Sequence, residues 1–353
     1  MFENRFIKKI AEEWLLFLSS LGLILTSIYL KRTPFYSKTD FKVLYTLFIF
    51  LIIIKGLERT NFFLILSNKI KNGKYISQKL LLLTAVLSMF VTNDVALLTI
   101  VPFSLTLNIE NIEILIIFET LTANIVSSLT PFGNPQNIFI YYHFHLHPLV
   151  FIKTMAPFSI ILFFIILIIS NRYNKTGISN DSNSLEKIKK NSYIYLGFFI
   201  LFILAIIKIL PLEIGILAIL YPLILDRKSL KIDYFLLLTF LAFFGFTDNL
   251  IRILKISLAN SNQVFIFSAL GSQFISNVPS ALFFADFTNN WKSLLWGVSV
   301  GGLGTIIGSL ASLISYRLYK AKFNETKNFL IKFNLYGYLF FFLGILLYFI
   351  INI

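Results

Sequence analysis

The sequence predicts an all-α integral membrane protein built as two inverted-topology repeats, each holding a re-entrant helical hairpin and a broken transmembrane helix. Three observations carry that prediction. First, the 353 residues are 57% hydrophobic and only 14% charged, whereas a soluble domain is charged at roughly a quarter of its positions. Second, apolar runs recur along the chain at close to the ~20 residues a bilayer requires. Third, polar helix-breaking motifs interrupt four of these runs and form two matched sets.

Uninterrupted apolar runs lie at about 14 to 30, 41 to 55, 149 to 170, 193 to 210, 212 to 225, 233 to 258 and 333 to 353. The first follows Arg5, Lys8 and Lys9 and ends at Lys31-Arg32 with no small-residue cleavage site, so it reads as a span. Residues 57 to 75 mix apolar and basic positions and are expected to form an interfacial helix. Residues 76 to 108 and 263 to 289 are each two apolar arms around a polar tip, Thr92-Asn93-Asp94 and Ser276-Asn277-Val278-Pro279. These read as hairpins that enter the membrane and return. Runs 112 to 146 and 291 to 316 are broken spans, interrupted at Thr130-Pro131-Phe132-Gly133-Asn134-Pro135-Gln136-Asn137 and at Gly301-Gly302-Leu303-Gly304-Thr305-Ile306-Ile307-Gly308-Ser309. Lipid offers no partner for exposed amides and carbonyls, so broken backbone at that depth must be covered by protein or face a wet cavity.

The two sets of motifs match in order. Thr305 follows Thr130 by 175 positions, which also pairs Gly133 with Gly308, Asn134 with Ser309 and Asn137 with Ser312. The hairpin tips match at a separation of 184, Asn93 with Asn277 and Thr92 with Ser276. Such duplication in a membrane chain places a binding site at the repeat interface. The units are residues 1–171 and 211–353, joined by a polar cytoplasmic linker at 172–192 and a connecting span at 193–210.

Basic residues set the orientation. With the N-terminus in the cytoplasm, 22 of the 31 Lys and Arg fall in cytoplasmic segments and four more in the outer loop 31 to 42, as the positive-inside rule requires. The net charge of +14 is thus dispersed over short loops and marks topology, not a nucleic-acid surface. The first hairpin then enters from the cytoplasm, the second from outside, and the C-terminus lies outside. The absence of cysteine excludes disulfides and thiolate metal sites. No HExxH or Gly-x-Gly-Asp occurs, and no His lies deep in a span, so an intramembrane enzyme is disfavoured.

Candidate chemistry concentrates at the breaks. Four half-helix N-termini are expected to converge, opened by Thr92/Asn93, Thr130/Asn134, Ser276/Asn277 and Thr305/Ser309; their free amides and partial positive charge suit an anion. Gly133 and Asn137 complete the first break, and Thr92, Asn93, Thr130, Gly133, Asn134, Asn137, Ser276, Asn277, Thr305 and Ser309 are the expected substrate contacts. Asp94, with Asn93, Glu119 and Asn277, is the candidate for cation or proton coupling. A carboxylate in mid-membrane is unfavourable by roughly 2.5 to 3.5 kcal/mol on insertion scales, so it needs a cation, a proton or a partner; the simpler alternative is that Asp94 caps a helix starting at Val95. Asp248 sits four residues before Arg252 and is read as a structural pair. His143, His145 and His147 precede Pro148 and are read as interfacial, and Trp14, Trp291 and Trp296 as an aromatic belt. The glycines of the second break also fit close helix packing.

Taken together, Thr92-Asn93-Asp94, Thr130 to Asn137, Ser276-Asn277-Val278-Pro279-Ser280 and Gly301 to Ser309 resemble the ion transporter superfamily, which includes arsenite permeases, certain sodium/proton antiporters, and citrate or dicarboxylate permeases with a citrate transporter-like domain. The similarity runs from about residue 40 onward. It implies a permease of the cell (plasma or inner) membrane that moves a small anion, a carboxylate or an oxyanion such as arsenite, by symport or antiport with Na⁺ or H⁺, or a Na⁺/H⁺ antiporter without organic substrate. It implies no cofactor beyond Na⁺ as coupling ion, and a homodimer by analogy. The dicarboxylate branch carries tips resembling Ser-Asn-Thr; Thr92-Asn93-Asp94 is closer to the arsenite and antiporter branches.

Overall fold

The computed structural model describes residues 14–63, 65, 75–107, 109–173, 191–254, 257–323 and 325–351. Residues 174–190 of the expected linker at 172–192 and residues 64 and 66–74 of the expected interfacial helix at 57–75 lie outside these residues, as do Arg5, Lys8 and Lys9. No strand occurs among the described residues. The first half comprises α1 (Trp14–Leu30), α2 (Lys38–Arg59), α3 (Ile76–Phe90), α4 (Asn93–Thr106), α5 (Ile112–Ser127), α6 (Pro135–His143) and α7 (Pro148–Ser170). After α8 (Asn191–Ile206) come α9 (Ile216–Leu225), α10 (Tyr234–Leu254), α11 (Ser261–Ile275), α12 (Asn277–Ala285), α13 (Trp291–Gly301), α14 (Leu310–Lys322) and α15 (Lys327–Ile351).

Local chemistry explains most of the boundaries. Ser37 caps α2 in a capping box with Asp40, and Asn260 caps α11 by accepting from the N–H groups of Asn262 and Gln263. Asn134 caps α6, with Pro135 in the first helical position, where its missing N–H would have had no helical partner anyway. His147 and Pro148 open α7 in the same way. Each expected hairpin is two helices that meet at its polar tip, and each expected broken span is two helices separated by its motif.

Among the described residues, three helices are individually long and apolar enough to cross a membrane: Pro148–Ser170, Lys327–Ile351 and the segment Arg227–Leu254 that contains α10. The run at 212 to 225 is shorter than expected of a span. It folds as a single-turn 3₁₀ helix, Leu212–Gly215, followed by α9, about 23 Å of helix against a hydrocarbon core of about 30 Å.

Every residue of α5 from Ile114 to Ser127 is buried, as is α13 from Ser293 to Gly301. The periphery is the reverse: α1 buries only Ser19, and Phe17, Ile28, Phe164, Ile168, Phe342 and Ile350 are all exposed. Large apolar side chains on the outside and polar groups within suit a lipid surround. Packing in one half recurs in the other: α3 lies on α5 and α11 on α13, α5 on α7 and α13 on α15, α4 on α14 and α12 on α6, α1 on α10 and α9 on α2.

Trp296 corrects the expected aromatic belt. It is 1% exposed, its ring packs edge-on against Phe158 and Tyr348, and its Nε1–H donates to Thr154 O at 3.2 Å. It lies in the middle of α13, which runs between α7 and α15, and its one donor is satisfied there.

Candidate functional site

The four expected half-helix starts are α4, α6, α12 and α14, with Thr92, Asn134, Ser276 and Ser309 as their N-caps. Thr92 has φ 114° and ψ 148°, and Ser276 has φ 73° and ψ 158°. That region of backbone space is occupied almost only by glycine, and holding another residue there is unfavourable by about 1–3 kcal/mol. The same strain stands at the matched position of both hairpins.

At the first break, Thr130 Oγ1 donates to Met89 O at 2.6 Å, tying the break to the end of α3. The Asn93 N–H donates to Gly133 O at 3.1 Å, joining the start of α4 to the same loop. A Cβ on Gly133 would collide with the backbone carbonyl of Ser127, so only glycine fits. Asn137 Nδ2–H donates to three loop carbonyls, those of Ser127, Ser128 and Thr130 at 3.2, 3.3 and 2.8 Å. Asn134 Oδ1 accepts from the Asn137 N–H at 2.9 Å while its amide donates to Ser127 Oγ at 3.2 Å. Asn134 and Asn137 therefore hold the break in shape.

The second break is braced from outside itself. Gln273, on α11, donates through Nε2 to Gly301 O at 2.5 Å and accepts the Thr305 N–H on Oε1 at 2.8 Å. Thr305 Oγ1 reaches Gln273 O at 3.4 Å, the counterpart of Thr130 to Met89. Thr305 also accepts the Gly308 N–H at 3.1 Å.

The first hairpin tip and the second break meet through Asn124, a residue that motif reading passes over. Its Oδ1 accepts from Asn93 Nδ2 and from Ser309 Oγ, both at 2.9 Å. Its Nδ2 donates to Ser312 Oγ at 3.1 Å and, at a long 3.4 Å, to Gly302 O. One buried amide thus uses both acceptor lone pairs and both hydrogens, and three of its four partners lie in the other half. The signal was present: an Asn in the otherwise apolar run Thr122-Ala123-Asn124-Ile125-Val126 is a polar group that lipid or an apolar core would penalise unless paired. Gln273, three residues before the Ser276 tip, carried the same signal.

The acids divide. Asp94 is the second residue of α4, one place beyond where a cap would sit, because the helix begins at Asn93; the capping alternative is corrected accordingly. Its N–H donates to Asn93 Oδ1 at 3.1 Å, and its carboxylate has no partner among the described residues. Glu119 is fully buried and accepts from Ser104 Oγ at 2.5 Å, while its Oε2 has no partner among the described residues. Ser104 lies about 16 Å along α4 from the tip, so Glu119 stands apart from the network that Asn93 enters. Asp248 is structural, and its closest partner is Arg32 at 2.5 Å rather than Arg252 at 3.7 Å. Asn277 is 4% exposed with its amide beside Gly302, and Ser276 Oγ points to its Oδ1 at 3.4 Å. His143 approaches Asp286 at 3.6 Å, while His145 and His147 are exposed.

With this geometry in view, the sequence profile of the citrate transporter family, CitMHS, matches residues 7–301. The chain belongs to that family. It is 36% identical over 324 residues to an uncharacterized transporter of Methanocaldococcus jannaschii, covering 86% of this chain and 88% of the relative. It is 33% identical over 302 residues to the Escherichia coli inner membrane protein YbiR, covering 79% and 80% of the two chains. The family profile spans the first hairpin, the first break, the second hairpin tip and α13, so all of the Asn124 network except Gly302, Ser309 and Ser312 falls within it. Membership of a transporter family and the apolar exterior agree on a membrane protein.

Proposed function

We propose that this chain is a secondary active transporter that binds a small anion, a carboxylate or an oxyanion such as arsenite, between the two hairpin tips and the two helix breaks, and moves it together with Na⁺ or H⁺. The observation that carries the reading is the Asn124 knot, one buried side chain bonded to the tip of the first hairpin and to the second break. Two half-helix starts, at Asn93 and Ser309, bond Asn124 directly, and helix N-termini favour an anion while the carbonyls that end the preceding arms suit Na⁺. The recurrence of packing partners and of the strained Thr92 and Ser276 backbones supports two inverted repeats, residues 1–171 and 211–353, whose hairpins re-enter the membrane. Alternating access then comes from one unit rocking against the other about the connecting span 193–210. In this threading the N-terminus and the 172–192 linker are cytoplasmic and the C-terminus is outside. One charge descending about 100 mV releases about 2.3 kcal/mol, which sustains a gradient on the order of fifty-fold.

A second reading, Na⁺/H⁺ antiport without organic substrate, is favoured by the unpartnered carboxylate of Asp94 at the first tip. Thermal stability of the purified protein separates the two, since a ligand of the folded state raises the unfolding midpoint by mass action. Na⁺ is compared with K⁺ at two pH values, with and without citrate, succinate and arsenite. A Na⁺-dependent rise enlarged by one anion is expected for the symporter. A rise with Na⁺ alone that disappears at low pH selects the antiporter, and no response to any ion or anion overturns both.

A further inference from the structure

A second polar centre lies well away from the Asn124 network. Lys38 and Lys42, four residues apart at the start of α2, and Lys208, in the turn after α8, line an open cavity of about 230 Å³ together with Thr39, Tyr142 and His145. The placement runs against local preference. Cations at a helix N-terminus oppose the helix dipole, and the acid of that first turn, Asp40, is turned to the Ser37 N–H at 2.7 Å and does not line the cavity. None of the three lysines forms an ion pair with any described residue.

Two of them are nevertheless positioned. Lys208 sits in a left-handed turn of φ 67°; its ammonium donates to Leu146 O at 2.9 Å and lies 5.1 Å from the centre of the Tyr141 ring. Lys42 Nζ lies 4.7 Å over the Tyr142 ring. The two ammoniums are within electrostatic reach of each other. Three uncompensated cations around one cavity repel each other unless an anion enters between them.

We propose that this cavity is an anion-binding vestibule, separate from the central network, that takes a small free di- or tricarboxylate. Three cations match a multivalent ligand better than a monovalent one, and the ring faces of Tyr141 and Tyr142 hold two of the ammoniums in place. The vestibule is joined to the centre by α6, which runs from the Asn134 cap at the break to Tyr142 at the cavity, about 12 Å of rigid helix. That the vestibule faces outward rests on the threading proposed above; that it binds an anion does not. Because exposed ion pairs are individually weak, the Kd is on the order of 1 mM.

Lysine acylation followed by peptide mass spectrometry reads the site directly and requires no transport. Citrate at about ten times its Kd should slow acylation of Lys42 and Lys208 roughly tenfold, leave exposed Lys153 unaffected, and do so equally in Asn277→Ala. Lys42→Ala, an exposed position that does not threaten folding, should remove the protection of Lys208. Acetate at matched ionic strength giving equal protection would reduce the effect to screening and overturn the proposal. Protection lost in Asn277→Ala would assign it to the central site, and again overturn it. Phosphatidylglycerol nanodiscs that protect without citrate, where phosphatidylcholine nanodiscs with citrate do not, would make the cavity a lipid-headgroup site instead. Failure here leaves the ion-dependent stabilisation at the centre untouched, so the two readings fail separately.

Discussion

The two helix breaks occupy matched places in the chain but are held by different means. The first is closed from within: Asn137 takes three carbonyls of its own loop, Asn134 caps the outgoing helix, and Gly133 lies flush against Ser127. The second has Ser312 where the first has Asn137, and its loop is pinned by Gln273 reaching across from the neighbouring hairpin. Its cap residue, Ser309, makes no capping bond and donates to Asn124 instead. A break that carries its own braces is fixed wherever its unit goes. Both breaks are also tied to their own hairpin, but among the described residues it is the second that bonds the opposite half, through Ser309 and Asn124, and it is the better candidate to rearrange when the halves move.

That contrast can be broken most severely at the glycines. Gly133→Ala drives a Cβ into the backbone of Ser127, where no side chain can yield, and is expected to destabilise by at least about 3 kcal/mol, read as loss of folded protein in fluorescence-detected size exclusion. Gly308→Ala also meets a backbone carbonyl, that of Gly301, but at the longer separation of 2.6 Å, so its yield should fall less. Equal yields would remove the claim that the first break is the more rigid. Next, Asn124→Ala strands the Asn93 amide and the Ser309 hydroxyl, about 1–3 kcal/mol for each buried group. If the knot is the centre of transport, anion uptake into proteoliposomes should drop more than thermal stability does. Wild-type uptake would detach the knot from function.

Smaller effects sharpen the comparison. Asn137→Ala should cost about 2 kcal/mol of stability and Ser312→Ala about 1 kcal/mol or less, because the first orphans three carbonyls and the second a single partner. Thr92→Gly and Ser276→Gly should each raise the melting midpoint, by relief of about 1–3 kcal/mol of strain less up to about 1 kcal/mol of added chain entropy. A fall at either position would contradict the strained tip there.

The smallest effect concerns the seam between the halves, where Arg59 of α2 pairs with Asp226 after α9, which also accepts from Ser229 Oγ at 2.6 Å and Tyr195 OH at 2.9 Å. Burial works to raise this carboxyl, but the bonds from Ser229, Arg59 and Tyr195 and the Arg59 charge outweigh it and hold it below the usual carboxylate range. A depressed folded value means stability that is present above the unfolded value of about 3.9 and lost as pH falls below it through the folded value. Asp226→Asn should therefore lower the melting midpoint at pH 7 and converge toward wild type in acid. A gap that does not close on acidification would exclude the carboxylate charge as its source.

Short-range chemistry was readable because its causes lie within a few residues. The apolar runs, the tips at Thr92 and Ser276, the stop at Thr130-Pro131 and the restart at Asn134-Pro135 are all local conflicts between helix continuation and backbone satisfaction, and the helices begin and end at them. The matched spacing of those motifs is likewise in the chain itself. Asn124 was a different kind of problem. Its position inside an apolar helix marked it as needing partners, but Ser309 and Ser312 lie 185 and 188 residues away, and no local rule selects them among the many hydroxyls available. Trp296 failed for the same reason, since an interfacial and a buried indole look alike until the neighbouring helices are placed. By itself the sequence determined where the backbone must leave the helix, since proline, glycine and capping side chains act on their own neighbours. Only the tertiary structure decided which polar group satisfies which, because that depends on helices packed from opposite ends of the chain.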